Sequence, residues 1–238
     1  MFNFQFPDFT HTKWDEDKAT FEGVEGWWSD DIIPNARVIY ADGTWYDNTP
    51  TAKHKGYGDI VADLKCSKKS VLFDTELEGH TGFMGYGEKA YSILFSTGVF
   101  DTDKHIVFMG HSLGAALIVH VALLYDRYFN AEKPISVRLF GMPRPWGTRK
   151  LCKYARNILK DYKSWSIGNE FVDLLHITSF LLGMKRPYRN IKLPSKVVYS
   201  GNIIDRIKQF FSSMVTDHYP QEYITRLTDD EVFTKGVL

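Results

Sequence analysis

The chain has 238 residues, 44% of them hydrophobic, which suits one large domain with a core that needs no cross-links. Lysine plus arginine equals aspartate plus glutamate at 29 each, so the net charge is zero, and the short basic runs form no stripe for a nucleic-acid partner. Two cysteines, Cys66 and Cys152, exclude a disulfide framework and a cysteine-based zinc site; they read as buried free thiols, with a single bridge as the alternative.

The opening MFNFQFPDFTHTKWDEDK lacks the basic start, apolar run and small-residue cleavage site of a secretory signal. No stretch reaches the roughly 18 to 20 apolar residues of a membrane span. The expectation is a cytoplasmic location and no transmembrane segment. Phe2, Phe4, Phe6 and Phe9 are expected to pack an N-terminal extension, residues 1–36, onto a single domain covering 1–238.

Farther along, short β-rich runs alternate with longer helical ones, the rhythm of a mostly parallel sheet covered by helices. RVIYA at 37–41 reads as a strand ending at the turn-prone Asp42-Gly43, and SVLFD at 70–74 as another. A glycine-rich turn and the helical EKAYSILFSTG follow, then HIVFM at 105–109, apolar throughout as a central parallel strand should be. LGAALIVHVALLYDRYF, from 113, reads as a helix buried against the sheet. ISVRLFG at 135–141 is the next strand, TRKLCKYARNILKD an amphipathic helix, KSWSI at 163–167 a strand, and KVVYS at 196–200 a late one. NIIDRIKQFFSSMV at 202–215 gathers Ile203, Ile204, Ile207, Phe210, Phe211 and Met214 on one side of a helix, expected to face the core.

The sharpest local signal is GHSLG, Gly110 to Gly114, set between an apolar strand and a buried helix. In such a strand–turn–helix the serine occupies a strained corner and the glycines make room for it. Ser112 would then stand at a helix N-terminus, where backbone N–H groups, that of Leu113 above all, can meet a developing oxyanion. A hydroxyl needs an adjacent base. His111 is a poor one, because neighbouring side chains on a tight turn diverge. Of the later histidines, His120 lies in the buried helix, His176 in FVDLLHITSF, and His218 in the polar, loop-like TDHYP. The acid should follow a strand, where Glu170 and Asp173 both qualify by spacing.

Taken in order, several short pieces resemble the class 3 lipase family, the fungal triacylglycerol lipase and plant phospholipase A1 type of α/β-hydrolase. They are DGT at Asp42–Thr44, DIVADL at Asp59–Leu64, HTGF at His80–Phe83, GHSLG, GMPR at Gly141–Arg144, NEFVDLL at 169–175 and DHYPQEYITRL at 217–227. The resemblance implies an α/β fold of the α/β-hydrolase kind: a mostly parallel central sheet flanked by helices, with the nucleophile turn at Gly110–Gly114. It makes Ser112 the nucleophile, His218 the base and Glu170 the acid, with Asp173 as runner-up. Thr44 would share the oxyanion with the Leu113 N–H. Residues 45–58, with Trp45, Tyr46 and Tyr57, fall where the family's lid lies, and His176 falls near the acid and the acyl groove. Four positions depart from the family pattern: Asp42 stands for arginine, Glu170 for aspartate, Ile60 for tryptophan and Ala115 for a common glycine.

The expected activity is hydrolysis of carboxylic esters, of lipids first, with transient contact to a lipid interface. A soluble short-chain esterase and a catalytically silent binding module are the alternatives. No metal or cofactor is expected.

Overall fold

The computed structural model describes residues 26–42, 67–129, 135–143, 146–167, 183–187, 189–194 and 200–206, with Gln209, Glu222, Tyr223, 225–227 and Val232. Their elements in chain order are β1 (Gly26–Ser29), β2 (Ala36–Ala41), β3 (Lys68–Val71), β4 (Asp74–His80), α1 (Thr81–Ser96), β5 (His105–His111), α2 (Ser112–Phe129), β6 (Ile135–Phe140), α3 (Arg149–Ile158), β7 (Asp161–Ile167) and β8 (Ile191–Leu193). Six strands form one sheet in the order β1-β2-β5-β6-β7-β8, and β3 pairs with β4 in a separate hairpin. Within the large sheet only β1 runs antiparallel to its neighbour.

Period-two alternation sorts the strand side chains onto two faces. Ile39, Ala41, Phe108, Val137 and Leu139 join the core beneath α1 and α2. Val38, Tyr40, Val107, Met109, Phe140 and Trp165 point to the other face, covered in part by Tyr223, Leu227 and Val232. Strands buried on both faces carry near-continuous apolar runs, as β5 and β6 do. This is the central, mostly parallel sheet flanked by helices of the α/β-hydrolase fold.

Several expectations are corrected. SVLFD is not one strand: the chain turns at Leu72 and Phe73, Leu72 being 60% exposed, and β4 runs back along β3. The glycine-rich stretch after it is helix, the first turns of α1, and one of its glycines, Gly87, admits a close neighbour. A Cβ on Gly87 would lie 2.8 Å from the His120 ring of α2. Two strands, β1 and β8, were not foreseen; β1 arises within the stretch expected as an N-terminal extension. Ile203 and Ile204, expected in the core, are 75% and 59% exposed. Of KVVYS at 196–200 all but Ser200, residues 207, 208 and 210–215 of the expected helix, Cys66 and the N-terminal phenylalanines lie outside the described residues. Cys152 is a buried free thiol as expected, and burial pushes it up to about 12.

Candidate active site

β5 passes directly into α2 at His111 and Ser112, without a loop. The reversal is made by Ser112 itself, whose φ is 52°. A serine in this left-handed region is strained by about 1–2 kcal/mol, and the surrounding packing must hold it there. The flanking glycines explain how. A Cβ on Gly110 would lie 2.7 Å from the Ala115 Cα, and one on Gly114 only 2.2 Å from the carbonyl oxygens of both Ala41 and Asp42. The first glycine lets α2 fold back over β5, and the second lets the end of β2 touch the first turn of α2. The outcome is selective exposure: from Ile106 to Tyr125, Ser112 alone is not buried. Leu113, the next residue, is 2% exposed in the first turn of α2.

Asp42 follows β2 directly, two residues before Thr44. Its carboxylate does not face α2. It accepts a hydrogen bond from the Tyr40 hydroxyl at 3.1 Å and lies 3.6 Å from His111 Nδ1. Burial first, then the Asp42 charge, holds the Tyr40 phenol well above its ordinary value. Tyr223 covers this group: its ring meets that of His111 edge-on at 6.1 Å and that of Phe140 at 5.6 Å, and Phe140 stacks on Trp165 of β7 at 5.2 Å.

Ser112 and Leu113 are therefore adjacent at the carboxyl end of β5. Thr44, Trp45, Tyr46, Tyr57, Glu170, Asp173, His176 and His218 lie outside the described residues. Their nearest described neighbours are Asp42 for Thr44, Ile167 for Glu170, and Glu222 and Tyr223 for His218. His120 is fully buried in α2, where burial, with the Lys69 charge second, pushes its imidazole down to about 3. His80 of the HTGF motif is also fully buried, stacked on Phe83 at 4.1 Å, with its backbone N–H donating to Trp146. Among the described residues no group of three or more histidine, cysteine, aspartate or glutamate side chains is placed to hold a metal ion. No described helix is long and apolar enough to cross a membrane.

One polar cluster was not anticipated from sequence. His105, Ser136 and Asp161, the residue types of a hydrolase triad, meet at the amino ends of β5, β6 and β7. Ser136 Oγ donates to Asp161 Oδ2 and lies 2.8 Å from His105 Nε2. The contacts are those of a serine-hydrolase site, but the serine stands between the imidazole and the carboxylate. In a triad the imidazole stands between the other two. With its proton on Asp161, the Ser136 hydroxyl accepts from His105, so His105 cannot act as its base. Ser136 is fully buried, and so is Arg138, whose Nη2 donates to Asp161 at 2.7 Å and whose Nε donates to the Val232 carbonyl. Burial raises the Asp161 carboxyl, but the hydrogen bonds from Arg138 and Ser136 outweigh it and hold the group below its ordinary value. This geometry fits a structural tie. The signal was a charged residue inside the otherwise apolar run ISVRLFG.

No protein-family model and no curated protein matches the chain. Solved structures do. The lipase from Rhizopus microsporus var. chinensis aligns with a TM-score of 0.53 at 15% identity, over 74% of this chain and 58% of that one. The Rhizomucor miehei triacylglyceride lipase aligns at 0.55 and 17%, over 78% and 66%. A triacylglycerol lipase from Penicillium expansum aligns at 0.51 and 12%, over 77% and 67%. The chain spans 58%, 62% and 59% of the length of three of the fungal lipases it matches. At such identities the likeness is one of fold: this chain has the α/β-hydrolase fold in a form shared with fungal lipases.

Proposed function

We propose that the chain is a serine hydrolase of carboxylic esters, acting on lipid esters, with Ser112 as nucleophile, His218 as base and Glu170 as acid. The observation that carries this reading is Ser112: a left-handed serine at a strand-to-helix corner, half-buried where every other residue from Ile106 to Tyr125 is buried. Three further features support it. Thr44, Ser112 and Glu170 follow the carboxyl ends of β2, β5 and β7, the end at which open α/β sheets bind ligands. His218 stands five residues from Tyr223, a span of at most about 17 Å, and Tyr223 packs on the residue before Ser112. The lipid class rests on the fungal lipases that share the fold and on the sequence resemblance.

In this reading Ser112 Oγ attacks the ester carbonyl carbon as His218 takes its proton. The Leu113 N–H and Thr44 hold the oxyanion, and loss of one such donor costs about 10²–10³ in rate. Glu170 keeps the imidazole in the required tautomer and favours its protonated form. His218 then protonates the leaving alcohol. Water attacks the acyl-serine, giving its proton to His218, and the carboxylic acid leaves. Residues 45–58, with Trp45, Tyr46 and Tyr57, would form the lid, and His176 would line the acyl groove.

The contacts of Ser136 supply a second reading, with that serine as nucleophile, so the test includes both. Rates on p-nitrophenyl esters from acetate to palmitate, below and above aggregation, are measured beside labelling by a fluorophosphonate. The expected result is labelling and turnover lost in Ser112→Ala and kept in Ser136→Ala, with a rise on long chains once aggregates form. A maximum on acetate or butyrate would make it a soluble esterase. Loss only in Ser136→Ala would move the nucleophile, and no labelling of the wild type would refute the enzyme reading.

A further inference from the structure

Beside the serine turn lies a buried polar pair that the ester chemistry does not consume. Asp42 is 4% and His111 6% exposed. A carboxylate so placed is stable only with donors or an opposite charge around it. Tyr40 supplies one hydrogen bond, on the same Oδ1 that lies 3.6 Å from His111 Nδ1. The register makes this contact local, because Ala41 stands beside Gly110 in the β2–β5 ladder and the next residues are Asp42 and His111.

The two faces of Asp42 therefore hold different parts of the site. Its carbonyl, with that of Ala41, rests against Gly114 on the helix face. Its side chain accepts the Tyr40 hydroxyl and lies within 3.6 Å of His111 Nδ1, which Tyr223 covers. One residue thus fixes where the chain leaves toward Thr44, and the other fixes where it turns at Ser112. The arrangement also removes an objection to a negative charge at this position. A carboxylate aimed at the oxyanion would oppose charge development, whereas this one is turned to the Tyr40 hydroxyl and hydrogen-bonded there.

We propose that Asp42 and His111 are positioning residues that clamp the oxyanion loop to the nucleophile turn. The inference rests on the reading of Ser112 as nucleophile. It demands little change in substrate binding and a large change in the chemical step, since a misplacement near 1 Å costs about 10²-fold.

The experiment compares Asp42→Ala, His111→Ala, the double variant and His111→Asn, which keeps a donor near the position of Nδ1. Fluorophosphonate labelling of Ser112 in the wild type comes first, and its absence would remove the function reading itself. With labelling present, each alanine variant is expected to lose about 10²-fold in kcat with KM unchanged. The double variant should be no worse than either single one, and His111→Asn should recover part of the loss. Wild-type kcat in folded single variants, losses that multiply in the double variant, or a change confined to KM would overturn the clamp while leaving Ser112 as nucleophile. If an alanine variant does not fold, Asp42→Asn carries the test. Its kcat then falls about tenfold at unchanged KM, or the clamp is refuted.

Discussion

Replacing Gly114 with alanine adds a single methyl at the tightest contact around the serine turn. That Cβ would sit 2.2 Å from the carbonyl oxygens of Ala41 and Asp42, where real Cβ contacts essentially never fall below 3.0 Å. Both obstacles are backbone, so no side chain can rotate away. The end of β2 and the first turn of α2 must part by about 1 Å, the order of misplacement that costs 10²-fold in rate. Overpacking of this kind destabilises by about 1–3 kcal/mol. For a chain of this length that lowers Tm by about 2–4 °C per kcal/mol, or about 2–12 °C in all. Calorimetry and the rate of Ser112 labelling measure the two effects on one sample. A Gly114→Ala protein with wild-type Tm and wild-type labelling would refute the packing argument and the claim that this contact sets the oxyanion geometry.

Ser112→Gly should abolish turnover yet unfold later than Ser112→Ala, by about 1–2 kcal/mol in urea titration, because glycine relieves the positive φ. Tyr223→Ala should lower kcat by uncovering His111 and Phe140 next to the segment that carries His218, with KM little changed in steady-state assays. The folded pKa of His120, about 3, lies below the unfolded value near 6.5, so its contribution to stability is complete above pH 6.5 and is lost as pH falls toward 3. Between pH 7 and pH 5 this amounts to about 2 kcal/mol, which urea titrations should find in the wild type and not in His120→Gln.

The β5–turn–α2 unit was legible because three independent signals coincide there: an apolar run, a glycine pair at fixed spacing, and a long apolar helix. The β3–β4 hairpin was not, since the reversal falls on Leu72 and Phe73, neither of them a residue that favours turns. The start of α1 was hidden by its glycines, which read locally as a turn; Gly87 acquires meaning only against His120 of a different helix. β1 and β8, of four and three residues, are too short to show a period and exist through their neighbours in the ladder. At the site, the serine was visible in the sequence and the setting of Asp42 was not. The acid itself stands in the sequence, but its neighbour His111 depends on parallel register, which a single chain does not reveal. The exposed Ile203 and Ile204 show the converse: an apolar stripe at helical spacing does not say which side the body lies on.

The bond from Arg138 to the Val232 carbonyl has a consequence for how the molecule comes into being. The two residues are 94 positions apart. At a synthesis rate of about 5–20 residues per second, the guanidinium of β6 waits about 5–20 s for its carbonyl, and Phe140 on the same face waits nearly as long for Tyr223. Through that interval the nascent chain offers an uncovered apolar sheet face with a cation at its rim. Such a surface is a target for chaperones and for mispairing with other chains, so yield should depend on conditions during synthesis more than on the stability of the finished protein.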